Sequence, residues 1–162
     1  MRFAAPWSRL LVGVSVFATA VCLFAAVAAW IAVTSAGGNS SQWWAALLPV
    51  AMVVGAALFT VRGYSIERDS ILVHRLLWAT RIPRTGLKSA EHNPALISGG
   101  IRILGNGGFF SFSGWFRNKH LGTYRAWITD PSRAVVLRYS DRVLVMSPGD
   151  PEKFVSVVMD GR

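Results

Sequence analysis

The sequence predicts a membrane-anchored α+β protein: two transmembrane helices paired as a hairpin, then a domain of about seven antiparallel strands closed by a C-terminal helix. Three observations predict it. No Lys, Arg, Asp or Glu occurs between Arg9 and Arg62, and that interval holds two long apolar runs. From Gly63 onward the chain breaks into short alternating segments separated by turn residues. The last segment carries the start signals of an amphipathic helix. A hydrophobic content of 52% with 15% charged residues fits this class, and 162 residues fit one domain with additions.

Residues 1–9 read as a short N-terminal arm carrying Arg2 and Arg9. Residues 10–33 form an uncharged run that spans about 36 Å as a helix, enough to cross a bilayer with some tilt. Residues 43–61 form a second run of about 28 Å, with Pro49 in its first half, a position that membrane helices tolerate. Trp30, Trp43 and Trp44 fall near one end of each run, where an aromatic belt belongs. The connection, 34–42, is uncharged and rich in Gly and Ser, and reads as a turn on the far side of the membrane. Its Asn39-Ser40-Ser41 triplet matches a glycosylation acceptor. A cleaved signal peptide is the competing reading of the first run, but the run is longer than a signal core and a second span follows it. Basic residues flank the two runs on the sides away from the connection, which predicts both termini in the cytoplasm.

The segment 63–162 is predicted to fold as one domain. Residues 64–67, 71–78, 80–84 and 101–104 read as strands, and 86–100 as loop or helical turn. In 122–129, Tyr124, Ala126 and Ile128 alternate onto one face. Asp130 and Pro131 open a turn, and 134–139 pairs with 143–147 as a hairpin. Asp150 is a helix N-cap, Pro151 suits the first helical position, and Phe154 shares an apolar face with Val157 and Val158. Between these lies "GNGGFFSFSGWF" (105–116). A phosphate-cradling loop would lead into a helix N-terminus, but here Ser and aromatic residues alternate, as in a strand. Gly107 and Gly108 therefore read as a turn or bulge entering a strand that sends Phe110, Phe112 and Phe116 to the core. Phe109 and Trp115 fall on its other face as a candidate exposed contact.

Three segments resemble the bacterial PH-like (pleckstrin-homology-like) domains that follow one or two membrane spans: the glycine-aromatic stretch, "WITDPSRAVVLRY" (127–139) and "VLVMSPGDPEKFVSVV" (143–158). The resemblance covers roughly Gly105 to Met159; residues 63–104 fit by strand order. It implies two near-orthogonal sheets with a capping helix, tethered at a bacterial cell membrane, and implies no particular activity. PH domains that bind phosphoinositides use a basic first hairpin loop, whereas "ERDS" (67–70) carries two acids.

The composition narrows the function classes. Cys22 lies alone in an apolar run, and His74, His92 and His120 have no metal-ligand spacing, so no metal or cofactor is implied. Asp69, Asp130, Asp141 and Asp150 sit at turns and caps, which leaves no paired acid–base site and no catalytic candidate. The net charge of +9 follows from the cytoplasmic bias of a membrane protein and needs no nucleic acid. The reading that results is a non-enzymatic membrane-tethered module that binds a protein partner. The alternative is contact with anionic lipid through Arg62, Arg68, Arg75, Arg81, Arg84 and Lys88, with a second cluster at Arg117, Lys119 and Arg125.

Overall fold

A computed structural model describes residues 1–35, 37 and 42–160, so the Asn39-Ser40-Ser41 triplet lies outside the described residues. Ser8 caps the first helix: its Oγ accepts the Leu11 N–H at 3.1 Å. Helix α1 runs over Arg9–Ser35 and is long and apolar enough to cross a membrane. Helix α2 (Trp44–Leu58) packs against it, with Pro49 inside and Trp30 edge-on to Trp43 at 4.8 Å between ring centroids. Its fifteen residues make about 22 Å of helix. The N–H groups of Phe59 and Thr60 close back onto Ala56 and Ala57, and Val61 enters the core of the β domain.

The first residues are more than an arm. Arg2–Ala4 form strand β1, which pairs antiparallel with β2 (Gly63–Ile66) in the register Arg2↔Ser65 and Ala4↔Gly63. The cause is Phe3, which points inward and meets Phe154 edge-on at 5.2 Å. Helices α1 and α2 therefore occupy the place of a hairpin loop between two paired strands.

The other strands are β3 (Ser70–His74), β4 (Ala79–Pro83), β5 (Leu87–His92), β6 (Ile101–Gly107), β7 (Phe112–Asn118), β8 (Gly122–Ile128), β9 (Val135–Tyr139) and β10 (Val143–Met146). One sheet has the order β1-β2-β3-β4 and the other β5-β9-β10-β8-β7-β6. Three expectations are corrected here. Among the described residues nine strands run from Gly63 onward rather than about seven, and β10 lies parallel to β8. The parallel pair arises because β9 and β10 form the predicted hairpin and the free edge of β10 then meets β8, which runs in its direction. Residues 71–78 do not form one strand: β3 stops at His74 and the chain turns through 75–78.

The two sheets enclose the main core, with Tyr64, Ile71, Val73, Trp127, Leu137 and Met146 among its buried residues. Helix α3 (Pro151–Asp160) closes it with Phe154 and Val158, and Asp150 caps α3 through the Lys153 N–H. The six-stranded sheet is buried on its back as well, where Tyr124, Ala126 and Ile128 share the predicted face with Phe116, Val136 and Val145. A 3-10 turn at Pro94–Ile97 covers part of that back face, held by Asn118, whose amide donates to the Leu96 carbonyl at 2.6 Å.

A buried polar junction ties the sheets together. The Tyr64 hydroxyl donates to the Trp127 carbonyl at 2.6 Å and accepts the Ser147 N–H at 3.1 Å. Burial pushes the Tyr64 phenol up to about 12. A raised folded-state value favours the protonated form, so this contribution is complete below pH 10 and is lost as the pH rises from 10 toward 12. Tyr124 and Tyr139 are shifted the same way by burial. The full chain is therefore expected to lose about 2–3 kcal/mol through Tyr64 across that window. Tyr64→Phe should flatten the slope while costing about 1–3 kcal/mol at neutral pH, because a buried N–H and C=O lose their partner. Chemical denaturation at pH 8, 10 and 12 checks both; an unchanged slope in the variant would contradict the assignment.

Candidate functional site

The strand directions give the domain two ends. Strand β2 leaves α2 and runs away from the helices; β3 returns, and β4 leaves again. The end nearest the helices carries Arg62, the turn 75–78 and the tip of the β6–β7 hairpin. In the turn, Leu76, Leu77 and Trp78 are exposed, and Trp78 meets Phe59 edge-on at 5.1 Å.

The hairpin tip is the glycine-aromatic stretch. Gly108 turns the chain with φ +122°, and its N–H donates to the Ser111 carbonyl at 3.2 Å. Asn106 brackets the turn: its Oδ1 accepts the Phe109 N–H at 2.9 Å, and its amide donates to the Phe109 carbonyl. Phe110 sits in the turn at φ +65° rather than in a strand, and stacks on Phe109. Its N–H donates to the buried Ser15 hydroxyl of α1 at 3.0 Å. The tip is thus bonded to the helix about 9 Å beyond the start of α1. Phe116 reaches the back-face core as predicted, with Phe112 packed beside it. Of the two candidate contact aromatics, Trp115 is exposed and Phe109 half-buried.

Between this hairpin, the turn at 75–78 and α2 lies a cleft of about 610 Å³. Arg75, Arg102 and Arg125 line it together with Met52, Gly55 and Ala56 of α2. Arg75 lies over the rings of Phe59 (5.4 Å) and Trp78 (5.5 Å). Arg125 lies over Trp127 (4.8 Å) and Trp115 (5.8 Å). The Arg102 side chain runs along its own strand, with Nη1 2.6 Å from where a Cβ on Gly107 would sit. Among the described residues none of the three has a carboxylate within ion-pair distance, and the buried Nε of Arg75 has no hydrogen-bond partner. Burial, and then the nearby charge of Arg125, push the Arg75 guanidinium below its usual range.

A second cavity of about 510 Å³ opens on the back of the six-stranded sheet, between the segment 94–100 and strands β7 and β8. Phe112, Phe116, Tyr124 and Ile128 make its floor.

The Bacterial PH domain family matches residues 62–160, more than half of the chain and all of the β domain after β1. The chain belongs to this family. No curated protein and no solved structure matches the chain significantly. In this PH domain the "ERDS" loop lies at the end far from the helices, and its neighbours are committed to each other. Arg81 pairs with Glu67 at 2.9 Å, while Arg84 donates to the Arg68 carbonyl and to the last carbonyls of α3. Arg68, Arg84 and Lys88 thus lie with the distal turns, as do Arg117 and Lys119, and Arg81, midway along β4, reaches toward them through Glu67. Only Arg62 and Arg75 of that predicted set lie at the helix end. The structure adds Arg102, which sequence reasoning passed over, and moves Arg125 into company with Arg75. His74 meets Ser65 Oγ at 2.7 Å, and among the described residues no group of three or more His, Cys, Asp or Glu is placed to hold a metal. Pro131 opens a 3-10 turn whose Ser132 N–H is accepted by Asp130 at 3.1 Å.

Proposed function

We propose that this PH-like protein is a non-enzymatic interaction module that α1 and α2 tether to the membrane, with one end of the domain pressed against the cytoplasmic leaflet. The observation that carries this reading is the double attachment of domain to helices. The helices emerge from between paired strands, and the β6–β7 tip bonds to Ser15 inside α1. A domain so fastened cannot swing on a linker; its orientation to the helices is fixed. Two further observations support the membrane. Only 17% of the most apolar stretch of α1 is buried, so its side chains need an apolar medium outside the protein. The attached end also exposes Leu76, Leu77 and Trp78 beside Arg62 and Arg75, the mixture expected where a surface meets headgroups.

The protein-partner reading is supported by the back-face cavity, whose Phe112, Phe116 and Tyr124 floor suits an apolar segment of another protein. In this arrangement the membrane end fixes the domain and the back face presents the cavity sideways along the leaflet.

Orientation is tested with single labels. With Cys22 replaced by Ala, a fluorophore on Leu77→Cys is expected to be quenched several-fold more by headgroup-labelled lipid than one on Lys119→Cys, which lies at the distal end. The chain should also resist carbonate extraction. Equal quenching at both sites would overturn the orientation, and release by carbonate would overturn the tether.

A further inference from the structure

The arginine cleft has the shape of a ligand with two unlike ends. At one end three guanidinium groups converge without a carboxylate, and one buried N–H is left without an acceptor. Cations gathered in this way, two of them held in place against aromatic rings, fit an anion with several acceptor oxygens. At the other end the wall is α2. Gly55 has open space where a side chain would project, and Ala56 beside it is small, so an apolar groove extends down the helix to Met52. Met52 lies six residues before Leu58, the last residue of α2, which is about 9 Å along the axis.

We propose that this cleft is a binding site for one anionic phospholipid, its phosphate held by Arg75, Arg102 and Arg125 and part of one acyl chain laid along Gly55 and Met52. The site rests on the tethered orientation proposed above, which places the guanidinium groups at headgroup depth and Met52 in the acyl layer. It is built differently from a basic first hairpin loop: its residues come from the turn after β3 and from β6, β8 and α2, and it forms only where the domain docks on the helices. The lipid would supply the missing counter-charge, so an occupied cleft stabilises the docked domain by mass action.

The full chain, purified in detergent and delipidated, is titrated with phosphatidylglycerol or phosphatidylcholine and read by native mass spectrometry and thermal melting. One phosphatidylglycerol per chain is expected to remain bound, roughly tenfold or more tighter than phosphatidylcholine. The variant Arg75→Gln/Arg102→Gln/Arg125→Gln should lose that preference, and Arg117→Gln/Lys119→Gln, at the distal end, should keep it. Gly55→Leu, which fills the groove and leaves the arginines in place, should weaken lipid retention. Equal retention of the two lipids, or undiminished phosphatidylglycerol binding in the triple variant, overturns the site. A melting shift with millimolar inorganic phosphate as large as that with phosphatidylglycerol, together with no effect of Gly55→Leu, would assign the cleft to free phosphate and overturn the lipid. Carbonate extraction reads the tether separately, so a failed titration on a chain that resists extraction counts against the cleft alone.

Discussion

A fragment cut to residues 62–160 is expected to fold poorly or not at all, although the family match covers that interval. The fragment lacks β1, and with it Phe3, whose ring packs against Phe154 in the centre of the core. Truncating a buried Phe costs about 3–5 kcal/mol, a large part of the roughly 5–15 kcal/mol that holds a typical domain together. The loss does not stop at the side chain. Strand β2 would become an edge, because Ile66 N–H and Arg62 C=O lose the Met1 carbonyl and the Ala5 N–H. The Gly149 N–H at the entry to α3 loses the Ala4 carbonyl as well. The remedy follows from the topology. Because Ala4 pairs with Gly63 and Ala5 stands opposite Arg62, residues 6–60 can be replaced by a short Gly-containing loop that joins Ala5 to Val61 without shifting that register. That chain is expected to be soluble and to melt cooperatively, while Phe3→Ala within it should lower stability by about 3–5 kcal/mol. If the 62–160 fragment melts at the same temperature as the loop-linked chain, β1 is not part of the fold.

The same strand marks what the sequence makes legible. The apolar runs, the Asp150-Pro151 helix start, the Asp130-Pro131 turn and the β9–β10 hairpin are written in consecutive residues, so local chemistry predicts them. Strand β1 has three residues, too few to show a period, and its partner lies beyond two helices. The parallel contact of β10 with β8 is hidden for a similar reason: each strand is visible alone, but the free edge of a hairpin is assigned only by packing. Residues 75–78 misled in the opposite way. Arg75, Leu76, Leu77 and Trp78 contain no Gly, Pro, Asn or Asp, yet they make a turn, and its apolar side chains stay exposed.

The candidate site was half legible. Grouping basic residues by sequence proximity placed Arg75 with Arg81, Arg84 and Lys88. Strand β4 undoes that grouping, because five extended residues carry the chain roughly 17 Å away from the helices. The true neighbours of Arg75 are Arg102 and Arg125, brought alongside by the β6-β7-β8 meander. No local pattern announces this. The one available signal is that β8 alternates apolar and polar residues, which places Arg125 on the opposite face from Tyr124 and Ala126.

The largest effect of a single added methyl group is expected in the glycine-aromatic hairpin, at Gly114 and its cross-strand neighbour Gly105. The two pair directly in the register of β6 and β7, with φ +147° and +115°. A Cβ on Gly114 would lie 2.1 Å from the Leu104 carbonyl oxygen, and one on Gly105 would lie 2.4 Å from that of Ser113. Both obstacles are backbone, so no rotamer change relieves them; the strands must separate. Strained φ and overpacking together put the cost of Gly114→Ala on the order of 3 kcal/mol. The consequence reaches beyond stability, because the hairpin is what carries the Phe110 N–H to Ser15 and the Arg102 side chain to the cleft. Hydrogen exchange on the full chain should therefore show the amides of 103–116 opening far faster in Gly114→Ala than in the parent. Amides in β9 and β10, which pair with each other and with β5 and β8, should keep most of their protection. Ser15→Ala removes only the acceptor of the Phe110 N–H and should loosen the tip at 108–111 without disturbing Gly105 and Gly114. If Gly114→Ala instead left 103–116 as protected as the parent, the close pairing of these two glycines could not be what holds the hairpin, and with it the cleft, against the helices.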